Sequence, residues 1–222
     1  MNLSVAAVEN NSNKLYSIAF ILSIITIVYN IGEGIVSVYF GLADETLALF
    51  GFGLDSFVEV LSGIGIAHMI YRIRKHQNGS QDAFEKTALT ITGISFFILA
   101  ISIFSGILFN LYTGSVPSTT VPGIIITLIS ILSMYFLIHY KLKVGRLLKS
   151  DAIIADANCT KACLYLSGIV FISSLLYELT GFVYMDALGS LGVIYYAVKE
   201  GRESFDRRNG KSCGCDKDQC HV

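Results

Sequence analysis

Apolar residues along this chain gather in long runs that do not alternate with polar ones. The six longest are Leu15–Phe40, Thr46–Tyr71, Thr87–Leu111, Val121–Tyr140, Ala152–Tyr177 and Phe182–Lys199. About 20 apolar residues cross ~30 Å of hydrocarbon as a helix. A barrel strand would be about half as long and would alternate. The pattern therefore predicts an all-α fold, a six-helix transmembrane bundle. The third and fourth runs contain no Asp, Glu, Lys or Arg, whereas the other four carry ionisable groups.

Composition agrees. Of the 222 residues, 53% are hydrophobic and 15% charged, where a soluble domain carries about 25% charged residues. Two Pro, five Cys and no Trp exclude a collagen-like, disordered or disulfide-scaffold chain. A formal net charge of -1 offers nucleic acid nothing to bind. Charge placement gives an orientation, because basic residues favour the cytoplasmic side. With the N-terminus inside, all 16 Lys and Arg fall in inner segments or at inner helix ends, Lys141 among them. Lys161 lies deeper and can snorkel back. Both termini are then cytoplasmic. Met1–Asn13 holds no basic residue, and the following run is too long for a signal-peptide h-region. Three parts are expected: a cytoplasmic segment 1–14, a membrane domain 15–200 and a Cys-rich cytoplasmic tail 201–222.

Ionisable groups within membrane spans usually face a functional interior. Asp55 and Glu59 in the second run are spaced i,i+4, so both carboxylates share one helix face. In the fifth run, Cys159 and Cys163 share the same spacing, and Asp156 lies one turn before Cys159. At 1.5 Å per residue, Asp55 is ~15 Å and Glu59 ~21 Å from the outer face. Cys159 is ~10 Å and Cys163 ~16 Å from the inner face on the same scale. Asp55 is thus level with Cys163, and Glu59 with Cys159. Two carboxylates and two thiolates suit a tetrahedral ion. The thiolates bias it towards soft metals. The plainer alternative for the two cysteines is small packing residues.

These residues resemble a known family. Leu54-Asp55-Ser56-Phe57-Val58-Glu59 is similar to the second-helix D-x-x-x-D motif of cation diffusion facilitators. Ala155-Asp156-Ala157-Asn158-Cys159-Thr160-Lys161-Ala162-Cys163 is similar to their fifth-helix A-D-x-x-H-x-x-x-D motif, with Ser167 matching a frequent serine. Met185-Asp186-Ala187-Leu188 resembles the start of their sixth helix. The resemblance implies metal ligands at Asp55, Glu59, Cys159 and Cys163, with Cys159 in place of the usual His and Cys163 in place of the usual Asp. The softer pair opens Cd²⁺, Hg²⁺, Pb²⁺ or copper beside Zn²⁺. Family members usually carry a further cytoplasmic metal-binding domain after the sixth helix. Here only the tail follows, so dimerisation and metal sensing through such a domain are not expected.

The tail packs Cys213, Cys215, Cys220 and His221 into one short stretch, a chelating cluster for soft ions. In the reducing cytosol it is not expected to form structural disulfides. Glu33, between Gly32 and Gly34, either lines the pathway or is a hydrogen-bonded core residue, and the glycines suggest close helix packing. Asp186 is expected to act as a structural cap. Asp156, His68 and His76 are accessory candidates, and His139 is interfacial.

The resulting expectation is a secondary transporter in the cell membrane, not an enzyme. It would export a divalent soft or borderline metal ion from the cytosol, Zn²⁺ or Cd²⁺ first. The resemblance implies alternating access in exchange for protons. No permanent cofactor is expected, since the ion is cargo. The partners are the metal ion, protons, the lipid bilayer and a second copy in a homodimer. A membrane thiol oxidoreductase using Cys159 and Cys163 is the alternative from another class, and a non-transporting metal sensor is the third reading. Removing residues 211–222 should leave flux measurable and raise the metal concentration for half-maximal flux. Loss of flux at saturating metal would make the tail part of the transport machinery.

Overall fold

The computed structural model describes residues 2–209 apart from 45, 76–80, 115, 149 and 183; at some helical positions it describes the backbone alone. Six helices run through the described residues, with no strand among them: α1 (Asn2–Ala43), α2 (Leu47–Lys75), α3 (Gln81–Thr113), α4 (Val121–Leu148), α5 (Asp151–Thr180) and α6 (Met185–Arg208). Each apolar run becomes one helix. Helices prevail because a backbone in hydrocarbon must satisfy its own N–H and C=O groups. The polar stretch ahead of the first run continues α1 back to Asn2. His76 and the tail residues Cys213, Cys215, Cys220 and His221 lie outside the described residues.

By length and composition, α1 to α5 are able to cross a membrane. α6 is not among these by that measure, since Lys199, Glu200, Arg202, Glu203, Asp206 and Arg208 crowd its second half. Its uncharged stretch between Asp186 and Lys199 reaches only about 18 Å. It belongs to the bundle through one buried face, made by Ser190, Val193, Ala197, Glu200 and Ser204. This face packs against α3, α5 and α2.

The broadest contacts pair α1 with α2, α4 with α5 and α3 with α6. α2 also touches α3, α5 and α6, which makes it the central helix. In its most apolar window 61% of residues are buried, against 22% for α1. Apolar side chains cover the outside of the bundle, while polar ones share the inside with apolar clusters. Thr26, Asn30, Ser56, Thr127, Ser130 and Ser167 are fully enclosed. Val28, Ile35, Ile101, Phe104, Leu132 and Tyr135 are exposed. Water would reverse that arrangement, whereas lipid permits it. Several enclosed polar side chains bond back within their own helix. Thr26 Oγ1 donates to the Leu22 carbonyl, Asn30 Nδ2 to the Thr26 carbonyl and Thr127 Oγ1 to the Gly123 carbonyl.

Three features fix the helix ends near α2. Asp186 does cap a helix, but the helix is α2 rather than its own. Its Oδ2 accepts from the Leu47 N–H at 2.9 Å, and its Oδ1 from the Ala48 N–H at 3.2 Å. α2 has no acidic residue in its own first turn, so α6 supplies the anion that its N-terminal dipole favours. α5 begins at Ser150, whose side chain accepts from the Ile153 N–H, and stops at Gly181 with φ 62°. At the same end of the bundle, the Ser118 N–H donates to the Asp44 carbonyl and ties the α1–α2 and α3–α4 connections together.

Close approach of α1 and α2 depends on glycine. A Cβ on Gly53 would lie 2.8 Å from the Val38 backbone nitrogen and 2.9 Å from Ser37 Cβ. The two glycines beside Glu33 divide: a Cβ on Gly34 would lie 3.0 Å from the Phe57 ring, while one on Gly32 would meet nothing within 4 Å. Only Gly34 therefore serves helix packing. Overpacking costs about 1–3 kcal/mol, so Gly53→Ala should lower the melting temperature of the detergent-solubilised protein, and Gly32→Ala should not. Equal melting temperatures for the two variants would contradict this account of the α1–α2 seam.

Candidate metal centre

A layer of polar side chains from α2 and α5 lies beside one apolar cluster, of which Cys163 is itself a member, and short of a second. One cluster joins Leu49 and Phe52 of α2, Ile103 of α3, Met134 of α4, Leu166 and Val170 of α5 and Val193 of α6. The other joins Ala19, Ile70, Val144 and Ile153. Along α2 the order is Phe52, then Asp55, Glu59 and Ser62, then Ile70. Along α5 it is Ile153, then Asp156, Thr160 and Cys163, then Leu166. The spacings of 3 and 4 put each polar set on one helix face, and the packing of α2 on α5 brings the two faces together.

Within this layer Asp55, Glu59, Asp156 and Cys163 are buried, and Cys159 is partly exposed. Cys163 Sγ donates to Asp55 Oδ2 at 3.1 Å. Glu59 Oε1 accepts from Thr160 Oγ1 at 2.6 Å. The second oxygen of Glu59, Oε2, is buried and has no hydrogen-bond partner. Ser167 Oγ donates to the Cys163 carbonyl and faces Ser130 Oγ at 3.1 Å.

The structure therefore joins part of the expected ligand set. Asp55 of α2 meets Cys163 of α5 at the depth where the helical rise places both. Glu59, expected level with Cys159, instead bonds the next residue, Thr160. Among the described residues, no group of three or more His, Cys, Asp and Glu is gathered so as to hold a metal ion. Asp55 is engaged by a thiol and Glu59 by a hydroxyl. An ion would have to replace the thiol proton at Asp55 and use the unpartnered Oε2 of Glu59.

The accessory candidates divide. Glu33 is enclosed and hydrogen-bonded: Tyr29 Oη donates to Oε1 at 2.9 Å and Ser56 Oγ to Oε2 at 3.0 Å. Ser56 is the neighbour of Asp55, so Glu33 borders the layer through α2. Asp156, on the same face of α5 as Cys163, pairs with Lys141 Nζ at 2.9 Å. His68 is exposed, as is His139, which lines a shallow surface hollow with Lys143 and Arg146.

Two residues of the layer escape a reading of charges and motifs alone. Lys141, counted above only as one of the inner basic residues, is enclosed in the bundle. The signal for this was available, because Met134, Leu137, Ile138, Lys141, Val144 and Gly145 form one buried helical stripe on α4. Thr160 continues the α5 stripe from Asp156 at i+4, yet a threonine in a membrane helix draws no notice by itself.

The polar layer sits in a bundle whose outer surface suits lipid, which is the setting a membrane carrier needs. Residues 19–206 match the model of the cation efflux transmembrane domain, a stretch running from α1 nearly to the end of α6. No match was found among curated proteins. The matched region includes every helix that contributes to the layer, and the chain belongs to the cation efflux family of metal cation transporters.

Proposed function

We propose that this protein exports a divalent soft or borderline metal ion from the cytosol in exchange for protons, with Zn²⁺ or Cd²⁺ as the first candidates. Hg²⁺, Pb²⁺ and copper remain within reach of its donors. The observation that carries this reading is the contact of Cys163 Sγ with Asp55 Oδ2 at 3.1 Å, buried beside Glu59 in the transport domain. A thiol that donates to a carboxylate is a protonated thiol, and it binds metal only as thiolate. Ion entry therefore expels the Cys163 proton. Re-protonation from the opposite side returns the thiol to Asp55 and frees the ion. Cys159 would complete the ligand set while Thr160 still holds Glu59. The apolar side chains around the layer would part alternately to admit the ion.

Orientation follows from the basic residues: both termini lie in the cytosol, and the membrane is the cell membrane. The α1–α2 connection then lies outside. The tail cluster Cys213, Cys215, Cys220 and His221 would collect ions at the inner mouth. A homodimer formed through the membrane helices is the expected assembly.

Reconstituted vesicles test this reading. Asp55→Ala and Glu59→Ala should each abolish Zn²⁺ and Cd²⁺ flux while insertion and expression stay normal. Full flux in the double variant would remove the proposed site. Metal binding without flux in the native chain would favour a sensor, and thiol-dependent quinone reduction an oxidoreductase.

Selectivity gives a sharper test. Cys159→His combined with Cys163→Asp keeps ligand number and depth but hardens the site. With both ions supplied together, the double variant should gain Zn²⁺ preference over Cd²⁺. Proton release per ion should become less steep above neutral pH, because a free thiol titrates near 8.5, above His and Asp. An unchanged Zn²⁺/Cd²⁺ ratio would make Cys159 and Cys163 packing residues.

A further inference from the structure

Three helices meet at a cation outside the expected ligand set. Lys141 of α4 is 1% exposed. Its Nζ lies 2.9 Å from Asp156 Oδ2 and donates at 2.9 Å to Thr160 Oγ1. Asp156 Oδ1 in turn accepts from Ser62 Oγ of α2 at 3.1 Å. An ammonium has donors only. The bond from Lys141 thus fills a lone pair on Thr160 and leaves the Thr160 proton to point elsewhere. Two acceptors compete for it: Glu59 Oε1 at 2.6 Å and the Asp156 carbonyl at 3.2 Å. The shorter bond, to a carboxylate, prevails. One oxygen of Glu59 is therefore tied down, and the other is buried with no hydrogen-bond partner.

We propose that Lys141 is a positioning residue for the transport site: through Thr160 it holds Glu59 so that a single carboxylate oxygen faces the ion. This rests on the reading of Glu59 as a ligand. Lys141 supplies no atom to the ion, yet it sets ion affinity as the outer partners of metal ligands do. A lysine serves here because Asp156 needs a counter-charge inside the bundle. A pair that merely staples α4 to α5 would need neither Thr160 nor the link to Glu59.

Removing only Lys141 would leave Asp156 buried and unpaired, which tests folding. Two other changes avoid this. Thr160→Val cuts the link at constant shape and leaves the ion pair whole. Lys141→Gln with Asp156→Asn removes both charges and keeps hydrogen-bonding groups. Thr160→Ser restores the hydroxyl and serves as the rescue. All samples carry serine at Cys213, Cys215 and Cys220, so that the tail thiols do not contribute.

The measurement is equilibrium binding of Zn²⁺ and Cd²⁺ to the purified protein by titration calorimetry, with KM and kcat for flux in proteoliposomes. Thr160→Val and the neutral double variant should each weaken binding by about 10- to 100-fold, the usual loss when a ligand's outer partner is removed. KM should rise in step, and Thr160→Ser should keep the native affinity. Lower melting temperature with unchanged affinity in both Thr160→Val and the double variant would reduce the pair to a staple and overturn the proposal. Glu59→Ala, titrated alongside, separates the two claims. If it binds as the native protein does, the ligand reading falls and this inference with it. If it loses binding while Thr160→Val does not, the inference alone falls.

Discussion

A charged side chain at the centre of a membrane span costs about 2.5–3.5 kcal/mol on insertion scales. Glu33, Asp55, Glu59, Asp156 and Lys141 all lie inside this bundle, and the arrangement of the interior follows from that cost. Each has found a donor or a counter-charge: Glu33 takes Tyr29 and Ser56, Asp55 takes the Cys163 thiol, Glu59 takes Thr160, and Asp156 takes Lys141 and Ser62. The partners come from α1, α2, α4 and α5, so satisfying these groups also packs the helices. Packing alone would not choose this register, since lipid tails are as apolar as the side chains they would replace.

The same constraint gives the centre its chemistry. Apolar side chains, in one cluster around Phe52 and Leu166 and another around Ile70 and Ile153, surround the polar groups. Enclosure makes an unpartnered oxygen such as Glu59 Oε2 costly. On the proposed reading, a divalent ion would relieve that cost, a proton on the thiol relieves the neighbouring one at Asp55, and ion and proton would be alternatives at one place, as exchange requires. α2 carries the layer at its centre and is fixed by Asp186 at one end and by Gly53 against α1.

Much of this was legible in the sequence, for physical reasons. Lipid removes the usual ambiguity between helix and strand, so long apolar runs read directly as α1 to α5. Helical rise alone put Asp55 level with Cys163, and the two touch. Rise does not fix rotation: each residue turns the helix by about 100°, and Glu59 faces Thr160 where depth suggested Cys159. The burial of Lys141 went unread because counting positive charges treats every lysine near a span end alike, although its place on the buried stripe of α4 was visible. The cap that Asp186 sets on α2 joins residues 139 positions apart, and no local pattern reveals such a partner. α6 reads as a helix from its apolar first half, and its second half carries the charges.

The central claim is that oxygen from the α2 carboxylates and sulfur from α5 reach the same ion. X-ray absorption at the zinc edge tests it most directly, on Zn²⁺-loaded protein with serine at Cys213, Cys215 and Cys220. The account predicts a mixed first shell, with sulfur at about 2.3 Å and oxygen at about 2.0–2.2 Å, and loss of sulfur when Cys159 and Cys163 are also changed to serine. A shell of oxygen and nitrogen alone in the protein that retains Cys159 and Cys163 would contradict it.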